Sequence, residues 1–427
     1  MKIGLEVHVA LSTKSKLFCS CSTSADEPNT AICPTCLGFP GSKPMLNEEA
    51  LKQSVSIAKA LHCDVNEKTY FIRKVYFYPD LPKSYQITQL EGAIGHGGYV
   101  DIGTKRIGIR RVQVEEDPAK IIHADDYSLL DFNRSGIALN EIVTEPDLES
   151  EADLREFMNE LRSILYYVGV DINKEIKADL NISLGAERVE IKNITGIKNL
   201  VDAERFEEKR QSALIESGKK IAPETRSYNE DTISTVPSRE KETDEEYGFI
   251  YEPDLAVYPT SGIIPYDTVI ASELARQYSE GSGESLKTIK ELIMFDKEAL
   301  KLIQHGIKQS NIGTVINAIE LLKRRGRISM SEKGFEKMLV CLNNGILLND
   351  DAITALNENR DVDMRNYAVS TEEIDREIQE VVLHRQDLVM EYKTNKKVFN
   401  SIIGLILKKY KVNPKHIAER LALVLRE

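Results

Sequence analysis

Residues 1–36 read MKIGLEVHVALSTKSKLFCSCSTSADEPNTAICPTC and carry the strongest structural signal in the chain. Their four cysteines form two close pairs, Cys19-x-Cys21 and, after eleven residues, Cys33-x-x-Cys36. Thiolates at this spacing can converge on one zinc ion where the chain turns tightly, and four of them leave no open coordination position. The pattern predicts a structural zinc knuckle. The alternative is four buried or incidental cysteines.

The bulk composition describes a soluble globular chain of more than one domain. Its 427 residues exceed what one hydrophobic core supports and indicate two or three domains. Apolar residues make up 41% and charged residues 29%, and no apolar run approaches the ~20 residues of a membrane span. The start of the chain alternates like a strand and lacks the apolar region of a signal peptide. We therefore expect a cytoplasmic protein without a membrane segment, with reduced thiols and one zinc rather than disulfides.

Strands and loops with a few helices are predicted for the first half, and helices for the second. Alternating apolar residues predict a strand at Ile3–Val9, and apolar residues at helical spacing predict a helix over Glu151–Val168, capped by Ser150. The polar, aperiodic segment Glu224–Glu246 is expected to be an exposed loop or lid. Beyond Val269 the periodicity is almost wholly helical.

The predicted fold class is α+β with three domains. A mixed α/β cradle with the zinc knuckle is expected over residues 1–268, an all-α helical linker domain over 269–356, and a C-terminal helical tail over 357–427. The net charge of −12 argues against non-specific coating of nucleic acid. From Lys393 to Arg426, however, nine Lys or Arg stand against one acid. This tail is expected to contact a polyanion; the alternative is a solvated amphipathic face.

Two acidic clusters are candidate metal ligands. Glu6 and His8 point to one side of the predicted first strand, because side chains two residues apart share a face. A carboxylate beside an imidazole can bind a metal, although an exposed sheet face is the alternative. The run Glu115-Glu116-Asp117 follows at the end of a second strand, where a solvated turn is the alternative.

The loop Tyr76–Tyr85 is the candidate nucleotide contact. It packs four aromatic residues, two prolines, an acid and a base into ten residues, which suits a nucleotide or the terminal adenosine of an RNA. Packing on the core is the alternative. Glu141 and Arg134 add charge to a nearby apolar segment. The chain lacks a GxxxxGK[ST] loop, so if ATP is used, magnesium held by carboxylates must handle the phosphates.

Several motifs in order resemble the B subunit of the tRNA-dependent aspartyl/glutamyl amidotransferases. They are GLEVH, the CxC and CxxC pairs with EPNT between them and CLGFPG after, YFYPDLPK, VEED, DFNRSG, NEIVTEPD, RVEIKNI, ETR and EPDL, and they span most of the first 255 residues. In the helical half, DLVMEYK, the basic helix from Lys396 to Lys411 and the closing NPK are similar to that family's C-terminal tail.

The resemblance implies an ATP-dependent ligase subunit that forms a C–N bond with glutamine as nitrogen donor. Such a subunit phosphorylates the side-chain carboxylate of Glu-tRNA(Gln), Asp-tRNA(Asn) or both, and ammonia then attacks the acyl phosphate. Ammonia comes from an amidase partner of the A type, and a small C-type subunit completes the complex. The cradle would be the catalytic domain, and the tail would bind tRNA. Magnesium, ATP and structural zinc are the implied cofactors.

The resemblance also assigns roles to residues. The implied magnesium ligands are Glu6, His8 and Glu116, and Glu141 is a further catalytic acid. The implied zinc ligands are Cys19, Cys21, Cys33 and Cys36. The pocket for the nucleotide or acyl end would be lined by Tyr78, Lys83, Tyr85, Lys120 and Arg134. The tail contacts to tRNA would be made by Lys396, Lys397, Lys408, Lys409, Lys411 and Lys415.

Three positions depart from the family pattern, and two alternatives stay open. Gln113 stands where the family usually has His, Pro118 where Ala is common and Ala119 where Gly is usual. A non-catalytic, zinc-stabilised subunit that positions tRNA is one alternative, although carboxylates near a polyphosphate repel it unless a cation intervenes. The related E-type subunit, specific for Glu-tRNA(Gln), is the other, but the interval after EPDL is short for its extra domain.

Overall fold

The computed structural model describes residues 1–174, 176–239, 248–326, 328–348, 350–358, 368–392, 395, 398–410 and 414–425. The chain divides into two compact units, Met1–Ile270 and Ala271–Glu427. Most of the predicted strands and the zinc knuckle lie in the first unit. The further division at residue 357 stays a prediction.

The first unit combines strands with three helices in its described part. Its strands are β1 (Lys2–Ala10), β2 (Asp64–Val65), β3 (Lys68–Thr69), β4 (Ile72–Val75), β5 (Tyr85–Thr88), β6 (Gly95–Asp101), β7 (Arg106–Glu116), β8 (Lys120–His123), β9 (Ser128–Asp131), β10 (Ala138–Thr144), β11 (Lys177–Ser183), β12 (Val189–Thr195), β13 (Glu224–Asn229), β14 (Ser234–Arg239), β15 (Gly248–Tyr251) and β16 (Tyr258–Pro259). Its helices are α1 (Glu48–Ala60), α2 (Glu151–Val168) and α3 (Ile197–Glu216).

A large sheet organises this unit. Over the described residues it has nine strands in the order β14-β13-β12-β11-β1-β10-β7-β6-β2. β1 lies at the centre, antiparallel to β10 on one side and to β11 on the other. β12 and β13 run parallel. Because parallel neighbours need a crossover connection, α3 lies between them in the chain. Side chains that point to one face from β12, β11, β1, β10 and β7 can therefore lie close together.

One face of the sheet is the core, and the other is polar. Ile3, Leu5, Val7 and Val9 of β1 are at most 2% exposed and join the apolar residues of α1, α2 and α3. Glu6 and His8 point to the opposite side, which we call the polar face. The alternation predicted for this strand is confirmed, as is α2, whose cap Ser150 accepts a hydrogen bond from the N–H of Asp153.

The prediction of an exposed loop at Glu224–Glu246 is wrong for Glu224–Asn229 and Ser234–Arg239, which form β13 and β14 at the edge of the sheet, and correct for the exposed turn at residues 230–233 between them. Three of their polar side chains, those of Thr225, Arg226 and Thr235, are buried, whereas residues 236–238 are exposed. Arg226 is buried and contacts Glu207 of α3, at 3.6 Å, and Glu224, at 3.0 Å. Charge pairing thus replaced the apolar alternation that marks a strand in sequence. Residues 240–247 lie outside the described part of the chain.

The second unit is mainly helical. Its helices are α4 (Ala271–Ser282), α5 (Leu286–Ile293), α6 (Lys297–Gly306), α7 (Ile312–Arg324), α8 (Glu332–Asn343), α9 (Asp350–Asn357), α10 (Thr371–His384), α11 (Gln386–Tyr392), α12 (Val398–Lys409) and α13 (Pro414–Val424). A short ladder of β17 (Ile346–Leu348) with β18 (Ala368–Ser370) departs from the predicted all-α pattern. Within the described ranges, none of the helices has both the length and the apolar character for a membrane crossing. The α+β class is confirmed.

Candidate functional site

The four cysteines of the first stretch lie together. The sulfur atoms of Cys19, Cys21, Cys33 and Cys36 all lie within 4.8 Å of one another. The hydrogen bond between Cys19 and Cys36 lowers the pKa of the Cys36 thiol and raises that of the Cys19 thiol, so the two sulfurs share one proton. Soft thiolates in this arrangement are the donors that zinc prefers. The predicted convergence of the four cysteines is confirmed, and the donor set fits zinc.

A buried lysine joins the four-cysteine knuckle to the segment that leads into β10. Lys16 is 0% exposed, and its Nζ lies 3.6 Å from the Cys36 sulfur and 3.1 Å from the carbonyl oxygen of Phe132. The neighbouring N–H of Leu17 donates to the carbonyl of Gly136 over 2.8 Å, just before β10 begins. The knuckle therefore supports the strand that carries Glu141.

Strand register brings three candidate ligands together on the polar face. His8 of β1 lies opposite Glu141 of β10, and Glu141 lies opposite Gln113 of β7. Glu115, two residues further along β7, shares the face of Gln113. One donor atom each from His8, Glu115 and Glu141 lies within 4.8 Å of the others, and His8 Nε2 is 3.6 Å from Glu115 Oε1. We call these three residues the first acidic group.

Neutral side chains orient the carboxylates of the first acidic group. Gln113 Nε2 donates to Glu141 Oε2, and the hydroxyl of Thr88 donates to Glu115 Oε2 over 3.0 Å. Glu115 and Glu141 are 7% and 8% exposed, whereas the side chain of His8 is 25% exposed. The group is thus built into the sheet but open on the side of His8.

The electrostatics of the first acidic group favour a cation. Burial raises the pKa of Glu141, and the charge of Glu115 raises it further. Burial alone would lower the pKa of His8, but Glu141 and Glu115 outweigh burial and raise it. A bound divalent cation would relieve this crowding of negative charge, and carboxylate oxygens are the protein ligands that suit magnesium or manganese.

A second acidic group lies on the other side of β1. Donor atoms of Glu6, Asp179 of β11 and Glu190 of β12 lie within 4.8 Å of one another. Lys192 Nζ lies 2.9 Å from Asp179 Oδ2 and 2.6 Å from Glu190 Oε1. Burial alone would lower the pKa of Lys192, but Asp179 and Glu190 raise it, so the ammonium form persists. Burial and then the charge of Glu141 raise the pKa of Glu6.

Glu116 takes a different place from the one expected beside Glu6 and His8. Successive strand residues point to opposite faces, so Glu115 faces His8 and Glu116 faces away. The carboxylate of Glu116 pairs with Lys83 and accepts the backbone N–H of Ile87 over 2.8 Å. It thereby ties the aromatic loop to the end of β7.

Comparison with known proteins gives the family. A family model described as the GatB/GatE catalytic domain matches residues 1–262. The B subunit of the aspartyl/glutamyl-tRNA(Asn/Gln) amidotransferase of Sulfurisphaera tokodaii is 36% identical in a match that covers 96% of this chain and 95% of the relative. The chain belongs to this GatB family. The corresponding protein of Saccharolobus solfataricus is 49% identical over 275 residues, a match that spans 60% of this chain and 58% of that relative.

The residues that the GatB resemblance places in a nucleotide or acyl-end pocket lie in several settings. The guanidinium carbon of Arg73 lies 4.5 Å from the centre of the Tyr85 ring, and Lys83 forms an ion pair with Glu116. Tyr78 is 52% exposed, and Lys120 is exposed in β8. The structure thus brings Lys83 and Tyr85 together and leaves Tyr78 and Lys120 on the surface.

Arg134 and two of the positions that diverge from the GatB pattern form one contact region. Arg134 donates to the carbonyls of Pro118 and Ala119 over 2.9 and 2.8 Å and lies 3.4 Å from Asp117. Ala119 is fully buried, and its N–H donates to the carbonyl of Asp80. The third divergent residue, Gln113, holds Glu141. Each of the three residues therefore has a defined contact.

Sequence reasoning included Glu115 in an acidic run but assigned the ligand role to Glu116, and it missed Asp179, Glu190 and Lys192 as members of the acidic groups. The alternation of β7 could have separated Glu115 from Glu116. For the other three, the signal was the charged spacing in RVEIKNI and the polar residues of KADLNIS. Pairing of β11 with β1 was needed to bring them to Glu6.

The tail lysines are only partly described. Lys408 and Lys409 are exposed near the end of α12, and Lys409 pairs with Glu377 of α10. Lys396, Lys397 and Lys411 lie outside the described residues, as does the side chain of Lys415. The helices themselves share an apolar core through Ile374, Ile402 and Ile417. Lys408 can therefore be substituted without disturbing that core.

Proposed function

We propose that this chain is the kinase and transamidase subunit of a tRNA-dependent amidotransferase. It phosphorylates the side-chain carboxylate of Glu-tRNA(Gln), Asp-tRNA(Asn) or both with ATP, and ammonia then displaces phosphate to give the amide. A glutaminase subunit of the A type supplies the ammonia from glutamine, and a small C-type subunit joins the complex. The proposed location is the cytoplasm, where thiols stay reduced.

The first acidic group is the single observation that carries this proposal. A carboxylate accepts ammonia poorly because its leaving group would be an oxide, and phosphorylation turns that oxygen into phosphate. When magnesium is bound by His8, Glu115 and Glu141, it supplies the positive charge that phosphoryl transfer requires. The three donor atoms fit such an ion, since they lie within 4.8 Å of one another.

The chain's own residues keep the first acidic group in place. Gln113 and Thr88 fix one oxygen each of Glu141 and Glu115, so that the remaining oxygens can face a ligand. Lys83 and Glu116 hold the aromatic loop beside the end of β7. Tyr85 lies beside this contact, with its ring centre 5.8 Å from Lys83 Nζ. The proposed contacts to the nucleotide or the acyl end are Tyr78, Lys83, Tyr85, Lys120 and Arg134.

The zinc knuckle and the tail have supporting roles in this proposal. Zinc bound by the four cysteines would be structural, because a tetrathiolate site has no open position. The tail would attract tRNA phosphates by charge and give salt-sensitive affinity. The proposed tRNA contacts are Lys396, Lys397, Lys408, Lys409, Lys411 and Lys415.

The test reconstitutes the reaction with an amidase partner, ATP, magnesium and each misacylated tRNA, and measures ADP and amide product. We expect both products from the wild-type chain and neither from Glu115→Gln. Glu187→Gln, a change in the exposed turn between β11 and β12, should react like the wild type. Comparing Glu115→Gln with Glu116→Gln tests the assignment, since only the former removes a carboxylate from beside His8.

A non-catalytic tRNA-positioning subunit predicts a different outcome. In that case ADP and amide would form at equal rates with the Glu115→Gln chain and the wild type, provided both bind tRNA equally. Such a result would remove the catalytic role from the polar face. Product with only one misacylated tRNA would define the substrate.

A further inference from the structure

We propose that Phe249 and Tyr251 of β15 hold the base of the 3′-terminal adenosine of tRNA between their rings, beside the first acidic group. The inference rests on the proposed function, because that function brings the acyl end of the tRNA to this group. It adds a base-binding site that lies outside the aromatic loop Tyr76–Tyr85.

Strand register puts both rings on one face of the small sheet β15-β4-β5. Phe249 lies opposite Lys74 of β4, and Tyr251 lies opposite Ile72. Because directly paired residues of neighbouring strands share a face, both aromatic side chains point to the side of Lys74. Ile250 lies between them in the sequence and points to the other side. The two rings are therefore neighbours on their face of the strand.

The same face leads to the first acidic group. In β5, Thr88 lies opposite Ile72, which in turn lies opposite Tyr251. The hydroxyl of Thr88 donates to Glu115 Oε2 over 3.0 Å, so this row of residues ends at a carboxylate of the first acidic group. Two strand spacings, about 10 Å, separate Tyr251 from Thr88. A nucleoside whose base lies at Tyr251 can therefore place its acyl group near Glu115.

The spacing of the two rings suits one flat base. Two residues of strand span about 7 Å, which is twice the ~3.4 Å rise per nucleotide of a stacked strand. A base between Phe249 and Tyr251 would thus stack on both rings. The ring of Tyr70 packs against that of Tyr251, with centroids 6.0 Å apart, and restricts its rotation.

The openness of this site favours the end of an RNA over ATP. Phe249 and Tyr251 are 40% and 48% exposed, and over the described residues β15 is an edge strand of its sheet. A small nucleotide is usually enclosed in a concave pocket. Single-stranded RNA, in contrast, binds on open surfaces through aromatic rings and neighbouring cations. Lys74, directly opposite Phe249, supplies such a cation.

The test compares a tRNA that ends in CCA with the same tRNA ending in CC, bound to the complex of the full-length chain with its amidase partner. Filter binding gives both affinities. We expect the wild type to bind the CCA form roughly 10-fold more tightly, as the stacking of one base allows. The double variant Phe249→Ala/Tyr251→Ala should lower this ratio to about 1 and bind the CC form like the wild type. Tyr251→Phe, which keeps the ring, and Ile250→Ala, the matched control on the opposite face, should keep the ratio.

Equal ratios in the wild type and the double variant would overturn the inference, as would a wild type that binds both tRNAs equally. An unchanged ratio together with a several-fold higher KM for ATP would assign the rings to ATP and overturn it as well. These affinities require no turnover, so the two proposals can fail separately. If Glu115→Gln keeps full activity but the double variant loses the ratio, the proposed catalytic role fails and the base site stands. If Glu115→Gln is inactive but the ratio is unaltered, only the base site fails.

Discussion

Replacing Glu207 by Ala should destabilise the first unit by about 3 kcal/mol, because it removes a buried carboxylate that pairs with the buried Arg226 and the half-buried Arg210. Glu207 is 0% exposed on α3 and accepts from Arg210 at 2.6 Å, Gln211 at 2.9 Å and the hydroxyl of Thr235 at 3.1 Å. Arg226 lies 3.6 Å away and is itself buried. Breaking a buried ion pair by removing one partner costs about 3 to 5 kcal/mol.

The lower end of that range applies because one other acid remains. Glu224 lies 2.7 Å from Arg210 and 3.0 Å from Arg226, and it keeps part of the compensation after Glu207 is removed. For a unit of this size, about 3 kcal/mol corresponds to a fall in melting temperature of about 6 to 12 °C. We expect the loss to be concentrated in β13 and β14, which Glu207 joins to α3 through Thr235.

Hydrogen exchange of the full chain measures this loss locally, at the amides of residues 224–239, and thermal unfolding measures it globally. Glu208→Ala, an exposed neighbour on the same helix, is the control and should change stability by less than about 0.5 kcal/mol. Equal protection of β13 in the Glu207→Ala chain and in this control would refute the reasoning.

The same interaction should depend on pH. Burial alone would raise the pKa of Glu207, but hydrogen bonds from Arg210 and Gln211 outweigh it and lower the pKa below its ordinary value of 4.5. A lowered folded-state pKa stabilises the fold above the unfolded value and loses that contribution as the pH falls below about 4.5. The difference between wild type and Glu207→Ala should therefore shrink below that pH.

Three further predictions concern other parts of the chain. Glu204 is 1% exposed, and burial raises its pKa to about 7, so the folded state binds a proton that the unfolded state has released. Wild-type stability should therefore fall between pH 4.5 and about 7. Urea titrations at several pH values should show this fall in the wild type and not in Glu204→Gln. Lys16→Met should speed zinc release to a chelator roughly 10-fold, because Cys36 loses its cation; an unchanged rate counts against the role of Lys16. Lys408→Ala should reduce the salt dependence of tRNA binding by about one in log–log slope, measured by filter binding; an identical slope would exclude Lys408 from the interface.

Local patterns predicted the elements that build the site. The alternation from Ile3 to Val9 predicted β1, because one face of that strand is apolar throughout. The helix over Glu151–Val168 followed from its spacing and from Ser150. The cysteine spacing predicted the knuckle because the four cysteines are close in sequence, so local turns bring them together without contacts between distant strands.

Contacts between distant strands could not be predicted in the same way. Glu115 rather than Glu116 faces His8, and this depends on the register of β7, β10 and β1. Lys192 reaches Asp179 through an irregularity in strand pairing that its own sequence does not mark. The segments Glu224–Asn229 and Ser234–Arg239 were misjudged as a loop because Arg226 is buried by charge pairing, whereas sequence patterns detect burial through apolar residues.

The placement of Glu6 and His8 on a single strand gives the two acidic groups a fixed spacing. Two residues of extended backbone span about 7 Å, and neither side-chain rotation nor loop movement can alter that repeat. β1 therefore sets the distance between the backbone positions of Glu6 and His8. Their backbone separation is the same wherever β1 keeps its pairing with β10 and β11.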